Sequence, residues 1–189
     1  MIFALFRRRE QRQNTISALY GTIVAQARRS CFYRDFAVAD TINGRFEMLV
    51  LHLALVLDRL AEMPDLRELG QGIFDTFCGD MDHNLREIGI GDLAVPKKMQ
   101  RIGEAYYGRA EAYRKAVSAE DPEFLVDALV RNIYDGDTSK RALAARLAAY
   151  IKDTVGDLKA QTGPDLMAGK LHLPEPAVED PAESRVFPP

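Results

Sequence analysis

The stretch RFEMLVLHLALVLDRLAEM, residues 45–63, decides how this chain folds. From Met48 to Leu57 every residue is apolar except His52. A helix that is apolar nearly all round is typical of the buried centre of a bundle. The run is also much shorter than the roughly 20 residues that a membrane-spanning helix needs. We therefore expect a helix here, with the rest of the core built around it.

The apolar residues elsewhere in the chain recur at helical spacing as well. We therefore predict an all-α fold, a single compact bundle of about six helices. Residues 1–13 are expected to form a basic N-terminal segment, 14–162 the helical domain, and 163–189 a proline-rich acidic tail that is extended or mobile. The expected helix starts are Asn14 or Thr15, Asp40 or Thr41, Pro64, Pro96, Asp121 with Pro122, and Thr138 or Ser139.

The spacing also predicts which side chains face the core. The helix after Pro64 is expected to bury Leu66, Leu69, Ile73, Phe77, Met81 and Leu85, and the helix after Pro122 to bury Phe124, Leu125, Ala128, Leu129 and Ile133.

Charge is spread unevenly along the chain. The formal net charge of the 189 residues is -3, which disfavours a general nucleic-acid binder. The first 45 residues nevertheless carry eight arginines against three acidic residues. The segment MIFALFRRRE does not have the order of a secretory signal, because its charges follow the apolar run. Arg7, Arg8 and Arg9 are instead expected to meet an anionic membrane surface, and a solvated basic end is the alternative.

The two cysteines, Cys31 and Cys78, are too few for a disulfide framework and indicate a reducing compartment. We therefore expect a cytoplasmic protein.

Sites for catalysis or metal binding are hard to assemble from this sequence. A di-iron bundle needs Glu-x-x-His pairs, and only Asp80 with His83 approaches that pattern. Zinc and Walker-type phosphate sites lack their companion residues. We predict no cofactor, no metal and no enzyme activity. The alternative is a helical enzyme acting on a quinone- or isoprenoid-like substrate, for which His52 and Cys78 with His83 are the only candidates.

The stretch DMDHNLREIGIGDLAVPKKM, residues 80–99, is predicted to hold a shaped loop between two helices. Gly89 and Gly91 bracket one apolar residue and are followed by Asp92, which is more than a generic loop requires. In the next helix, Gly103 and Gly108 each cost on the order of 1 kcal/mol relative to alanine, and close approach of a neighbour is the usual compensation. That neighbour is either a partner helix or another helix of this chain.

Two segments resemble the ubiquinol-cytochrome c chaperone family when they are taken together. They are LYGTIVAQARRSCFYRDFAVADTINGRFEMLVLHLALVLDRL and DMDHNLREIGIGDLAVPKKMQRIGEAYYGRAEAY, which lie in the family's order between residues 19 and 113. The resemblance implies an all-helical chaperone without catalysis of its own. Such a chaperone binds newly made cytochrome b, supports its acquisition of haem and assists assembly of the bc1 complex.

The mitochondrial members work with a small partner subunit near the ribosome exit. This chain is instead expected to lack a long transit segment and to resemble a bacterial member, peripheral on the cytoplasmic face of the inner membrane. A ribosome contact and a partner subunit are therefore left open, and so is a third reading, a purely structural membrane adaptor. A client contact region is expected at the residues that carry the resemblance and the shaped loop. They are Arg45, Asp82, Arg86, Glu87, Gly89, Gly91, Asp92, Tyr107 and Arg109.

Overall fold

The computed structural model describes the backbone of residues 2–177 and the side chains of Arg7 and of residues 9–177. This part of the chain is helical and contains no strand, which confirms the predicted class. Six helices have eleven residues or more, as expected. The α-helices in chain order are α1 (Ile2–Ala27), α2 (Ser30–Arg34), α3 (Ile42–Ala61), α4 (Arg67–Glu87), α5 (Val95–Ser118), α6 (Glu123–Ile133), α7 (Arg141–Ala160) and α8 (Gly163–Met167).

Helix α3 is the centre of the bundle, as its apolar run predicts. It packs against α1, α4, α5, α6 and α7, and every residue from Glu47 to Val56 is buried. The Oγ1 of Thr41 caps it by accepting a hydrogen bond from the Gly44 amide at 3.1 Å. Gly44 is required here, because a β-carbon would collide with the carbonyl oxygen of Ala39.

Helix α1 begins at Ile2, so the prediction that Asn14 or Thr15 starts it is wrong. Arginine, glutamate and glutamine between residues 7 and 13 are good helix formers, and no glycine or proline interrupts them. The Thr15 hydroxyl does not cap α1 and instead donates to the carbonyl oxygen of Met167 at 3.1 Å. One face of α1, formed by Ile16, Leu19, Tyr20, Ile23 and Ala27, is buried.

The segment after Gln161 is only partly extended. Residues Gly163–Met167 form α8, with Thr162 as its cap, where an extended tail was expected. Residues 168–177 have no helix and lie along α1, where the side-chain amide of Gln26 donates to the carbonyl of Pro174 at 2.7 Å. Residues 178–189 lie outside the described part of the chain, so the prediction for the rest of the tail stays untested.

Two smaller predictions differ from the structure. Phe124 is 60% exposed, whereas the other four predicted side chains of α6 are buried. The first turn of a helix has fewer neighbours, and periodicity alone does not register that. Asp137, rather than Thr138 or Ser139, caps the turn that leads into α7, since its carboxylate accepts from the Ser139 amide at 2.9 Å. A carboxylate next to two hydroxyl residues is an equally good cap.

Candidate functional site

Helix α4 ends in a glycine-dependent turn, as the sequence predicts. Gly89 has a φ of +85°, in the left-handed region that glycine favours. The Gly89 amide donates to the carbonyl of Arg86 at 3.0 Å, and the Ile90 amide donates to that of Leu85 at 3.0 Å. This pair of hydrogen bonds is a Schellman motif, which satisfies carbonyls at the end of α4. The chain then turns sharply into α5.

Charged side chains hold the loop against α4. Nε of Arg86 donates to Asp82 at 2.7 Å, and its Nη1 contacts the carboxylate of Asp92 beyond the turn. The hydrogen bond from Arg86 holds the pKa of Asp82 below its usual range. On the neighbouring face, Nε2 of His83 lies 3.1 Å from Glu87. Asp82, Arg86, Gly89 and Asp92 are therefore brought together, and the loop has one defined shape.

An apolar groove runs beside this turn, between the last turns of α1 and α4 and the first turns of α3. Its volume is about 670 Å³. Ile42 and Ile88, at its mouth, are 81% and 62% exposed. Its walls include Val24, Phe46, Leu49, Met81, Leu85 and Ile102. Met81 and Leu85, which were predicted to face the core, both line this groove and are only half-buried. Met81 also packs against the core, as predicted.

Basic side chains stand at one end of the apolar groove. Arg28 and Arg45 line it and also line a second hollow of about 480 Å³, together with Tyr33, Arg34 and Asp40. Nε of Arg45 donates to Asp40 at 2.6 Å, and both side chains are more than half exposed. Arg45 is thus the one predicted contact residue that lies in the groove itself.

Tyr107 and Arg109 lie apart from the groove. Tyr107 is 63% exposed and packs its ring 5.7 Å from that of Phe74, on another side of α5. Arg109 reaches α3 and forms a two-pronged ion pair with Glu47, whose side chain is 1% exposed. Burial raises the pKa of Glu47, and the guanidinium of Arg109 offsets part of that rise. Arg109 therefore has a role inside the fold, whether or not it meets a partner.

The glycines of α5 have no close neighbour. A β-carbon at Gly103 or Gly108 would meet nothing within 4 Å, and the same holds for Gly91. The expectation that these glycines admit another helix of this chain is therefore wrong within the described residues. A partner helix, the other reading of the pattern, stays a prediction.

The candidate catalytic residues occupy three different environments. The His52 ring is fully buried, and Nδ1 donates to the carbonyl of Met48 at 2.7 Å. Its Nε2 therefore accepts a hydrogen bond from the Tyr150 hydroxyl at 2.8 Å. The same hydroxyl accepts a hydrogen bond from the side-chain amide of Gln26 at 2.9 Å. This network ties together α1, α3 and α7, and burial lowers the pKa of His52 to about 4. A neutral, enclosed imidazole of this kind has no access to a substrate.

Cys78 and His83 do not complete a reactive pair. Both lie on α4 but five residues apart, which points them in different directions. Burial raises the pKa of the Cys78 thiol, the opposite of what a nucleophilic cysteine needs. Among the residues that the structure describes, no group of three or more histidine, cysteine, aspartate or glutamate side chains is arranged to hold a metal ion.

The basic N-terminal end is part of helix α1. Arg7 and Arg9 are exposed, whereas the side chain of Arg8 lies outside the described part of the structure. Within the described residues, no helix combines the length and the apolar character that crossing a bilayer requires.

The apolar groove was missed by sequence reasoning, although a signal for it existed. Ile42 and Ile88 are large aliphatic residues at the ends of helices, next to a cap and a turn, where polar residues are usual. Apolar side chains at such positions indicate either that neighbouring elements bury the helix end or that an apolar surface is left exposed.

This chain is similar to known proteins in both sequence and structure. The model of the family described as "Ubiquinol-cytochrome C chaperone" matches residues 34–173. The Cbp3 homolog from Brucella abortus, known from its crystal structure, is 41% identical with a TM-score of 0.83, over 93% of this chain and 97% of that one. The ubiquinol-cytochrome c reductase complex assembly factor 1 of Drosophila melanogaster is 24% identical over 144 residues. That match covers 73% of this chain but only 55% of the fly protein. This chain belongs to the ubiquinol-cytochrome c chaperone family.

Proposed function

We propose that this protein is an assembly chaperone of the ubiquinol-cytochrome c reductase complex and that cytochrome b is its client. The single observation that carries the proposal is the family match over residues 34–173. The name of the fly relative, a reductase complex assembly factor, supports the same complex. Because the family is one of chaperones, the protein is not an enzyme.

The geometry of the described residues fits a binding protein. Its buried polar groups, such as His52 with Tyr150 and Glu47 with Arg109, are bonded to one another inside the bundle. Its uncovered features include an apolar groove and a charged turn beside it. An apolar groove of this kind is suited to receive a helix of another protein.

We propose that the client contacts the turn after α4 and the rim of the groove. Asp82, Arg86, Glu87, Gly89, Gly91 and Asp92 form the first part of this surface and Arg45 the second. Tyr107 and Arg109 belong to the proposal only as an extension along α5. Because the Arg86 ion pairs shape the turn, Arg86→Ala should loosen it while the bundle, from which it projects, stays folded.

The function is tested in a strain of the native host that lacks the gene. We expect its membranes to have lost most of the cytochrome b haem signal in reduced-minus-oxidised spectra, together with quinol-cytochrome c reductase activity. The wild-type gene and a Lys152→Ala control, changed on the exposed side of α7, should restore both. Arg86→Ala and Asp92→Ala should restore them only in part. An unchanged cytochrome b signal in the deletion strain would contradict the proposal.

We further propose a peripheral location at an anionic membrane surface, on its cytoplasmic side. Exposed Arg7 and Arg9 at the start of α1 support it. Each basic residue near such a surface contributes about 1 kcal/mol. Flotation with vesicles that contain anionic lipid should therefore be lost when Arg7, Arg8 and Arg9 are changed to glutamine. A ribosome contact and a small partner subunit are not part of the proposal.

A further inference from the structure

The apolar groove is an uncovered apolar surface of the described residues. Four helices, α1, α3, α4 and α5, contribute to it, and half-buried side chains such as Phe46, Met81 and Leu85 line a hollow. The exposed Ile42 and Ile88 also line it, one on α3 and the other just after α4. Leaving apolar area in contact with water costs about 25 cal/mol per Å², so burial by a partner is favourable.

The charged side chains that line the groove itself are basic. Its lining contains no carboxylate, and its two charged residues are Arg28 and Arg45. The hollow next to it adds Arg34, and Asp40 is its only acid. The chain as a whole has a net charge of -3, so this basic end contrasts with the rest of the molecule. A carboxylate at the end of an apolar segment would complement both features.

Arg45 can exchange its partner at little cost. Its ion pair with Asp40 joins two side chains that are 60% and 56% exposed, and exposed pairs of this kind contribute little to stability. Arg28 has no ion pair among the described residues and is exposed. Two guanidinium groups at the mouth of the groove are therefore available to an incoming anion.

We propose that the apolar groove binds an amphipathic helix of a partner protein, whose apolar face fills the groove and whose end carries carboxylates that pair with Arg28 and Arg45. A helix fits because its apolar stripe can enter a groove between helices. An anionic bilayer is less suited to this groove. A membrane surface binds apolar and basic side chains that protrude, whereas most of the apolar residues here line a hollow. This inference rests on the proposed function in one respect, namely that the helix belongs to the client.

The proposal is tested with the full chain and three fluorescent peptides of about 18 residues, long enough to form a helix. Each carries leucines at helical spacing on one face, and they differ only at two final positions, which are glutamate, glutamine or lysine. By fluorescence anisotropy at low salt, we expect the glutamate peptide to bind about tenfold more tightly than the lysine peptide. The ratio should shrink towards one as salt is added.

Matched variants separate charge from apolar contact. Arg28→Glu with Arg45→Glu should invert the order of the peptides, while Lys152→Glu, the same charge change on α7, should leave it unchanged. Asp40→Asn should tighten the glutamate peptide, since Arg45 loses its competing partner. Ile88→Gln should weaken all three peptides equally. Thermal melts of each variant show that the fold is kept.

Equal binding of the three peptides would overturn the proposal. The surface would be a membrane site if the protein bound anionic phospholipid vesicles through Arg28 and Arg45 but did not discriminate among the peptides. That result would also overturn the proposal. The failure of the proposed function has a different signature. In that case cytochrome b does not co-purify with the protein from native membranes. The glutamate peptide nevertheless binds more tightly than the lysine peptide, and Arg28→Glu with Arg45→Glu still inverts that order.

Discussion

The ion pair between Arg109 and Glu47 determines how far Arg109→Met should lower the free energy of unfolding. The Glu47 side chain is 1% exposed and that of Arg109 is 27% exposed. Removing one partner of a buried pair leaves an uncompensated charge and costs about 3–5 kcal/mol. Because Arg109 keeps some contact with water, we expect the lower end, about 3 kcal/mol at neutral pH. In a chain of this length, that loss lowers the melting temperature by roughly 6–12 °C.

The cost should depend on pH in a defined direction. Burial already raises the pKa of Glu47 above its ordinary value of 4.5, and loss of the guanidinium raises it further. An acid whose pKa is higher in the folded state stabilises the fold at low pH. That contribution is lost as the pH rises through the folded-state pKa. The penalty of Arg109→Met is therefore smaller near pH 5 than above pH 7.

Urea unfolding followed by circular dichroism measures both effects. Wild type, Arg109→Met, Glu47→Gln and the double variant form a cycle, and we expect the double variant to regain most of the stability that Arg109→Met loses. A loss below about 1 kcal/mol at pH 7.5, or an equal loss at both pH values, would refute the reasoning that Glu47 is a buried carboxylate held by Arg109.

Three further predictions concern stability. Gly44→Ala should cost more than about 1 kcal/mol by urea unfolding, because its β-carbon meets a backbone carbonyl, whereas Gly21→Ala on the open side of α1 should stabilise. Gly108→Ala should stabilise by up to about 1 kcal/mol, and weaker recovery of client by this variant would show that a partner helix uses the site. Burial lowers the pKa of His52 to about 4, so melting temperature should fall as pH drops from about 6.5 towards 4, and less so in His52→Asn.

Much of the bundle could be predicted because its signals are local. The apolar run around His52, the caps at Thr41 and Gly89 and the prolines at helix starts each act within a few residues. The start of α1 was misplaced for the same reason. Asn14 and Thr15 are good caps in isolation, but nothing in the preceding residues stops a helix, so it continues to Ile2.

The candidate site was predicted only in part, because its features depend on tertiary packing. The turn with Arg86, Gly89 and Asp92 was expected, since glycine spacing and charge are visible in sequence. Periodicity, however, does not distinguish a side chain that faces the core from one that faces a groove, as Leu85 illustrates. The pairing of Arg109 with Glu47, 62 residues apart, joins two helices whose packing order the sequence leaves open.

Purification of the tagged protein from native membranes under mild conditions tests the central claim most directly. Co-purifying proteins are identified by mass spectrometry, and haem is followed by absorbance. We predict enrichment of cytochrome b with wild type and with Lys152→Ala, and reduced enrichment with Arg86→Ala or Asp92→Ala. Recovery of the protein without cytochrome b, from membranes in which cytochrome b is abundant, would contradict the account.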